Sequence, residues 1–328
     1  MNRRCFFALA GSLFAWQLFS TGRLAHAQTS RARRIGIIRT SKSYPERYAA
    51  LAEGLRDFGW VEGRNLAIEW RDTDGDNARA KEMTASLVDA KVELIVTNAN
   101  QTVSLARSVT SSVPIVAAAF GEPVASGFAQ SLARPGGNVT GVSLVYDGIV
   151  DKQFELAIQT LGNPRRFAFL SNPDFASSVT VGNTWKALAH TRGATMLEFW
   201  PRTLPDLEAA LETIGRSRVE VLLVLVQPFF LTHRRLIAER TRVARVASFG
   251  TSAEFVDSGF LASYGPDFRA AFRLAARYID RILKGASPAE LPIEQLTKIE
   301  LAVNLATAKA IGLTIPQVVL LRAERVID

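Results

Sequence analysis

The chain has 328 residues, 48% of them hydrophobic, with 39 Lys+Arg against 31 Asp+Glu and a net charge of +8. That length exceeds what one typical core supports, and the mild basic excess is no nucleic-acid footprint. One cysteine excludes a disulfide framework within the chain.

The first 27 residues read as an export signal. Arg3-Arg4 precedes an apolar run from Cys5 to Phe19, and Ala25-His26-Ala27 offers a small-residue cleavage site before Gln28. The run is shorter than the ~20 residues a bilayer crossing needs, and Gly11, Ser12 and Gln17 dilute it. The paired arginines resemble a twin-arginine signal, with the general export route as the alternative. Cleavage after Ala27 removes Cys5 together with Arg3, Arg4 and Arg23 and no acid, so the net charge falls by three to +5. Gln28 to Arg33 reads as a frayed leader. No later apolar segment is long enough to span a membrane; the longest, Val219 to Leu231, is broken by Glu220, Gln227 and Pro228.

From Arg34 onward, β-branched runs alternate with amphipathic helices. Arg34 to Arg39 is a strand apolar on both faces, as a central parallel strand should be. Ser43 and Glu46 offer a capping box for a helix that buries Tyr48, Leu51, Leu55 and Phe58 and stops at Gly59. Asn65 to Trp70 is the next strand, Asn77 to Asp89 a helix, Val92 to Thr97 a strand, Val103 to Ser108 a helix and Pro114 to Ala119 a strand. This β-α-β order predicts a doubly wound parallel sheet.

The pattern then restarts. Thr140 to Val145 reads as a strand and Val150 to Leu161 as a helix. The strands Arg166–Leu170, Thr195–Trp200, Val219–Val226 and Val243–Phe249 follow, separated by single helices. Two such sets predict an α/β protein with two similar doubly wound lobes. Asp267 to Lys284 is a further helix with Phe268, Phe272, Ala275, Ile279 and Ile282 inward. Its Arg269, Arg273, Arg277 and Arg281 form a solvated row eased by Asp280.

Catalytic and metal signatures are missing from the sequence. After export two histidines remain, His190 and His233, read as surface residues, with no H-E-x-x-H, nucleophile elbow or phosphate loop. Gly136-Gly137-Asn138-Val139-Thr140-Gly141 precedes a strand and reads as a turn. Small polar residues instead gather at strand C-termini, the ends that face the crevice of an open parallel sheet. They are Arg39-Thr40-Ser41, Thr97-Asn98-Ala99-Asn100, Phe120-Gly121-Glu122-Pro123, Ser171-Asn172-Pro173, Gln227-Pro228-Phe229-Phe230 and Phe249-Gly250-Thr251-Ser252. Hydroxyls, amides and helix-start N–H groups suit carboxylates. Glu122 and Glu254 could face an ammonium, and Tyr44, Tyr146, Phe229 and Tyr264 could wall a pocket.

With these motifs the sequence resembles the ABC-transporter substrate-binding proteins of the type I periplasmic-binding fold. The subgroup is the one that includes tryptophan- and phenylalanine-binding lipoproteins. The segments that carry the resemblance are Gly54-Leu55 with Phe58 to Asn65, Arg134 to Ser143, Pro228-Phe229-Phe230, Glu254-Phe255 and Ser263-Tyr264-Gly265. Ile282 to Gly285 and the stretch from Asn304-Leu305 to Ile311–Pro316 add to it. The resemblance implies two lobes, 28–143 plus 265–296 and 144–264 plus 297–328, joined by three crossovers. It also places the Asp267–Lys284 helix in the first lobe. Three departures fall where a ligand should sit: Asn172-Pro173-Asp174-Phe175-Ala176-Ser177 replaces Asn-Pro-Asn-Asn-Pro-Asn, Gly121-Glu122-Pro123 replaces Gly-Asp-Pro, and Ala253 replaces an arginine before Glu-Phe.

The expectation is a periplasmic, monomeric protein, not an enzyme and without a cofactor. It captures a small solute, with an amino acid as the candidate, and delivers it to an ABC permease and its ATPase. A ligand-sensing subunit for a signalling protein is the alternative, and a bilobed hydrolase a more distant one. Candidate solute contacts are Thr40, Ser41, Thr97, Asn98, Gly121, Glu122, Asn172, Phe229, Glu254 and Tyr264. The hydroxyls and amides would orient the solute and the aromatics exclude water. No nucleic acid is expected, because an export signal stands where a DNA-reading helix pair would be needed.

Overall fold

A computed structural model describes residues 32–40, 42, 44–73, 76–145, 148–173 and 176–328. Residues 1–27, expected to be an export signal, lie outside the described residues, as do Ser41, Ser43 and Tyr146. The first run of elements is β1 (Arg33–Arg39), α1 (Pro45–Asp57), β2 (Leu66–Asp72), α2 (Asn77–Asp89), β3 (Leu94–Thr97), α3 (Asn100–Val109), β4 (Ile115–Gly121) and β5 (Val139–Leu144). The second is α4 (Ile149–Leu161), β6 (Arg166–Leu170), α5 (Ala176–Thr191), β7 (Thr195–Phe199), α6 (Leu204–Arg216), β8 (Val221–Val224), α7 (Pro228–Thr232), α8 (Arg234–Val243), β9 (Ala247–Gly250), α9 (Ala253–Val256) and β10 (Ala262–Pro266). Last come α10 (Phe268–Leu283), β11 (Glu294–Leu296), β12 (Ile299–Asn304), α11 (Leu305–Ile311), α12 (Gln317–Leu320) and β13 (Arg325–Ile327).

The strands form two sheets, ordered β11-β5-β4-β3-β1-β2 and β13-β12-β10-β9-β8-β6-β7. The first is parallel throughout. In the second, β10 and β12 pair antiparallel while the rest are parallel. Connectivity explains the exception. The chain leaves the second sheet at the C-terminal end of β10, builds α10 and β11 on the first, and returns through Thr297–Lys298. Re-entering at the end it left, β12 must run back down beside β10. With the link from β5 to α4, the chain passes between the sheets three times.

Burial follows the patterns that predict it. The centre of β1 is enclosed on both faces, and α1 buries Tyr48, Leu51 and Leu55. Phe58, expected on that face, is 40% exposed, because the helix has already ended there and Phe58 is its C-cap. Tyr44 is the N-cap and makes no side-chain cap bond, with Pro45 opening the helix. The run expected as a strand from Val243 begins instead at Ala247. Val243 closes α8 and the chain turns through Arg245 at φ 54.

The helix α10 lies against α1 as well as β4 and β5. Gly54 permits the close crossing: a Cβ there would meet the Arg273 carbonyl at 2.7 Å and the Ala276 Cβ at 2.8 Å. Phe272, Ala275 and Ile279 are fully buried, and large apolar side chains such as Phe272 and Ile279 each contribute about 2–3 kcal/mol. The arginine row is in part a brace. Arg273 reaches Glu53 at 3.1 Å and Asp57 at 2.6 Å on α1, and Arg277 pairs with Glu294 of β11. Asp280, expected to ease that row, is buried and accepts the Trp60 indole N–H at 2.9 Å and a Lys284 proton at 3.0 Å. One buried apolar cluster joins the sheets, from Ile35 and Leu94 to Leu170 and Leu222, with Phe255 and Phe268 among its members.

Candidate functional site

In the first lobe, the ends of β1, β3 and β4 are tied together by short polar side chains. The Thr40 hydroxyl bonds the Tyr44 hydroxyl, and the Asn98 amide N–H reaches both, at 3.5 and 3.4 Å. The carbonyl oxygen Oδ1 of Asn98 is buried without a hydrogen-bond partner. Thr97 donates to Thr102, so its hydroxyl serves the start of α3. The Gly121 backbone is held by Asn100 through N–H to Oδ1 at 2.8 Å and Nδ2 to the carbonyl at 3.0 Å. Glu122 follows with an exposed side chain and φ 43. Beside this cluster Arg39 clamps Asp72 at 2.5 and 2.9 Å and lies 4.6 Å from the Trp70 ring centre. Burial pushes the Asp72 carboxyl up, but the bonds from Arg39 and Lys42 outweigh it and hold it below the usual carboxylate range.

In the second lobe, Gln227 organises the loops. Its Oε1 accepts the Asn172 backbone N–H at 2.9 Å and its Nε2 donates to Ser178 at 2.9 Å. Thr251 accepts the Val226 N–H at 2.7 Å, fixing the end of β8 to that of β9. Phe229 is half-buried and meets Phe230 and His233 edge-on at 5.4 and 4.8 Å. Tyr264 is half-buried against the core. The Oγ atoms of Ser143, Ser171 and Ser252, at the ends of β5, β6 and β9, are buried without a partner. Among the described residues no group of three or more His, Cys, Asp or Glu could hold a metal ion, and no helix is long and apolar enough to cross a membrane.

Over residues 36–327 the sequence matches the ABC transporter substrate binding protein family. The chain belongs to that family. A tyrosine-binding protein of Clostridioides difficile (strain R20291) is 23% identical to this substrate-binding protein over 261 residues, 80% of this chain and 75% of its own. The structure of an ABC domain from Streptococcus pneumonia in complex with L-Trp aligns with a TM-score of 0.79 at 24% identity, over 90% of this chain and all of the other. The ligand-free, open structure of a substrate binding protein with adhesive properties from Clostridium difficile aligns at 0.64 and 20% identity, over 90% of this chain and 99% of the other. Those likenesses establish the fold: α/β, with two parallel-sheet lobes.

Within this substrate-binding protein the sequence candidates separate into groups. Thr40 and Asn98 meet in one bonded set with Tyr44, Gly121 is held by Asn100 two residues beyond Asn98, and Asn172 is anchored through Gln227. Thr97 supports a loop, and Ser41 lies outside the described residues. Glu254, expected to face an ammonium, has a cation beside it in the protein itself: Arg47 holds its carboxylate at 2.6 Å in a buried contact. Asn100, Gln227, Ser178 and Arg47 were missed as individual residues, although Asn100 and Gln227 stand in loops that the strand-end pattern marks. Arg47 gives no such signal, since it sits inside a helix and resembles an exposed charge.

Proposed function

We propose that this substrate-binding protein works in the periplasm after cleavage behind Ala27 and captures an amino acid, aromatic ones foremost, between its two lobes. The observation that carries the reading is the set of unpartnered buried polar atoms at strand ends: Asn98 Oδ1 in one lobe, Ser171 and Ser252 Oγ in the other, and Ser143 Oγ on the strand before the first crossing. Each such atom costs about 1–3 kcal/mol when left unpaired, and a solute held between the strand ends would supply the missing partners. Hydroxyl and amide groups suit a carboxylate and an ammonium, while half-buried Phe229 and Tyr264 offer aromatic walls; Tyr44 is buried in the core. The tyrosine-binding relative and the L-Trp complex support the same class of solute.

The lobes would divide as 28–143 with 265–296 and 144–264 with 297–328. Closure about the three crossings lets both contact the solute, so binding shifts the equilibrium toward the closed form. A monomer in that form is what an ABC permease, powered by its ATPase, would recognise, and the solute leaves chemically unchanged. Calorimetry of the mature protein with L-tryptophan, L-tyrosine and L-phenylalanine tests this. Asn98→Ala and Asn172→Ala should each weaken binding by about tenfold or more, or 1.4 kcal/mol, with little change in unliganded melting temperature. Unchanged affinity in both variants would remove these loops from the site. The absence of a thermal shift with any amino acid at millimolar concentration would overturn the assignment of solute class.

A further inference from the structure

Arg47 and Glu254 are 207 positions apart in sequence, yet Arg47 Nε donates to Glu254 Oε1 at 2.6 Å. Arg47 stands in the first turn of α1, in the lobe built on β1 to β5. Glu254 stands in α9, directly after β9 of the other sheet. Both side chains are almost fully enclosed, at 4% and 6% exposure. The guanidinium lies 3.8 Å from the Phe268 ring centre and 4.7 Å from that of Tyr44. The cation is therefore seated by its own lobe and by the first residue of α10, just past the second crossing, while its anion arrives from the opposite lobe.

We infer that Arg47 and Glu254 form an inter-lobe clasp, a positioning pair that favours the closed arrangement and raises solute affinity without touching the solute. This rests on the reading that the solute is held between the lobes. Opening would part the two charges and return them to water, so the pair favours closure by the amount that its charge-assisted hydrogen bond and the packing of Phe268 and Tyr44 on the guanidinium exceed the hydration regained. Rotation of one lobe away from the other would draw α1 from α9, so these contacts belong to the closed form alone. Without Glu254 the guanidinium keeps the Phe268 and Tyr44 rings beside it, whereas loss of Arg47 removes the ion pair and both ring contacts, so Arg47 is the member whose loss matters more.

The test compares ligand-free scattering with solute kinetics for the mature wild type, Glu254→Gln, Arg47→Met and the charge-retaining Arg47→Lys. L-tryptophan and L-tyrosine serve as solutes, and melting curves establish that each variant is folded. The clasp predicts a larger radius of gyration without solute for Glu254→Gln and a still larger one for Arg47→Met, with Arg47→Lys restoring part of the difference. It also predicts about tenfold faster solute dissociation with near-unchanged association, and a double variant no worse than Arg47→Met. Identical scattering and dissociation in every variant would overturn the clasp and leave a fixed pivot. Lost binding by Glu254→Gln with unchanged ligand-free scattering would also overturn it, in favour of direct solute contact. Because the scattering arm needs no solute, it stands even if neither amino acid binds the wild type.

Discussion

Asn100 grips the backbone of Gly121 from both sides, accepting its N–H at 2.8 Å and donating to its carbonyl at 3.0 Å. The end of β4 is thereby fixed to the start of α3 by one side chain. Its amide also reaches Ser126 at 3.3 Å. Asn100→Ala should lower stability by about 1–2 kcal/mol, since both Gly121 groups lose a partner in a half-buried loop. Asn100→Asp keeps the acceptor and should lose roughly half as much. Urea denaturation measures both, and equal midpoints for wild type and Asn100→Ala would contradict the clamp.

Gly265 sits in β10, one residue before the strand's last position. A Cβ on it would lie 2.0 Å from the Thr251 carbonyl oxygen, while one on Gly137 would meet nothing within 4 Å. Backbone cannot move aside as a flexible side chain can, so Gly265→Ala should cost more than the 1–3 kcal/mol of an ordinary overpacked site. Calorimetric melting should show a fall of about 5 °C or more for Gly265→Ala and almost none for Gly137→Ala. A Gly265→Ala protein as stable as the Gly137→Ala control would refute the close approach.

His233 closes α7, with its ring against Phe229 and Glu208 near enough to be felt. Burial pushes its imidazole below the ordinary value of 6.5, and Glu208 offsets part of the effect. The unfolded chain then binds a proton at pH values where the folded protein keeps the ring neutral. Stability from this group is therefore present above 6.5 and lost as pH falls through that value toward the depressed folded one. His233→Gln should remove this part of the slope between about pH 7 and 5. Urea midpoints for both proteins at several pH values in that window provide the measurement. Parallel curves would show that His233 contributes nothing to it.

Much of the architecture was legible in the sequence because period is a local property. The run Arg166–Leu170 could only be a strand, and the spacing of Phe272, Ala275 and Ile279 could only be one face of a helix. The loops that carry polar groups were legible for the same reason, since they begin where each apolar run stops. The site inside those loops was less so. Thr97 was expected to contact the solute, and its hydroxyl bonds Thr102, five residues on, a local bond that nothing in its segment signals. Phe58 kept the helical spacing past the point where the helix had ended.

The alternation of strand and helix, their one-sided burial and the gathering of polar residues at strand ends were set by the amino-acid order, because each depends on neighbours within a turn or two. Three features needed the folded chain: β12 running against β10, α10 seated on α1, and Arg47 meeting Glu254. Each joins groups far apart along the chain, and electrostatic or packing energy between two residues depends on their distance in space. Within its own helix Glu254 is an ordinary charge; the cation that meets it in a buried contact, Arg47, arrives from the other lobe.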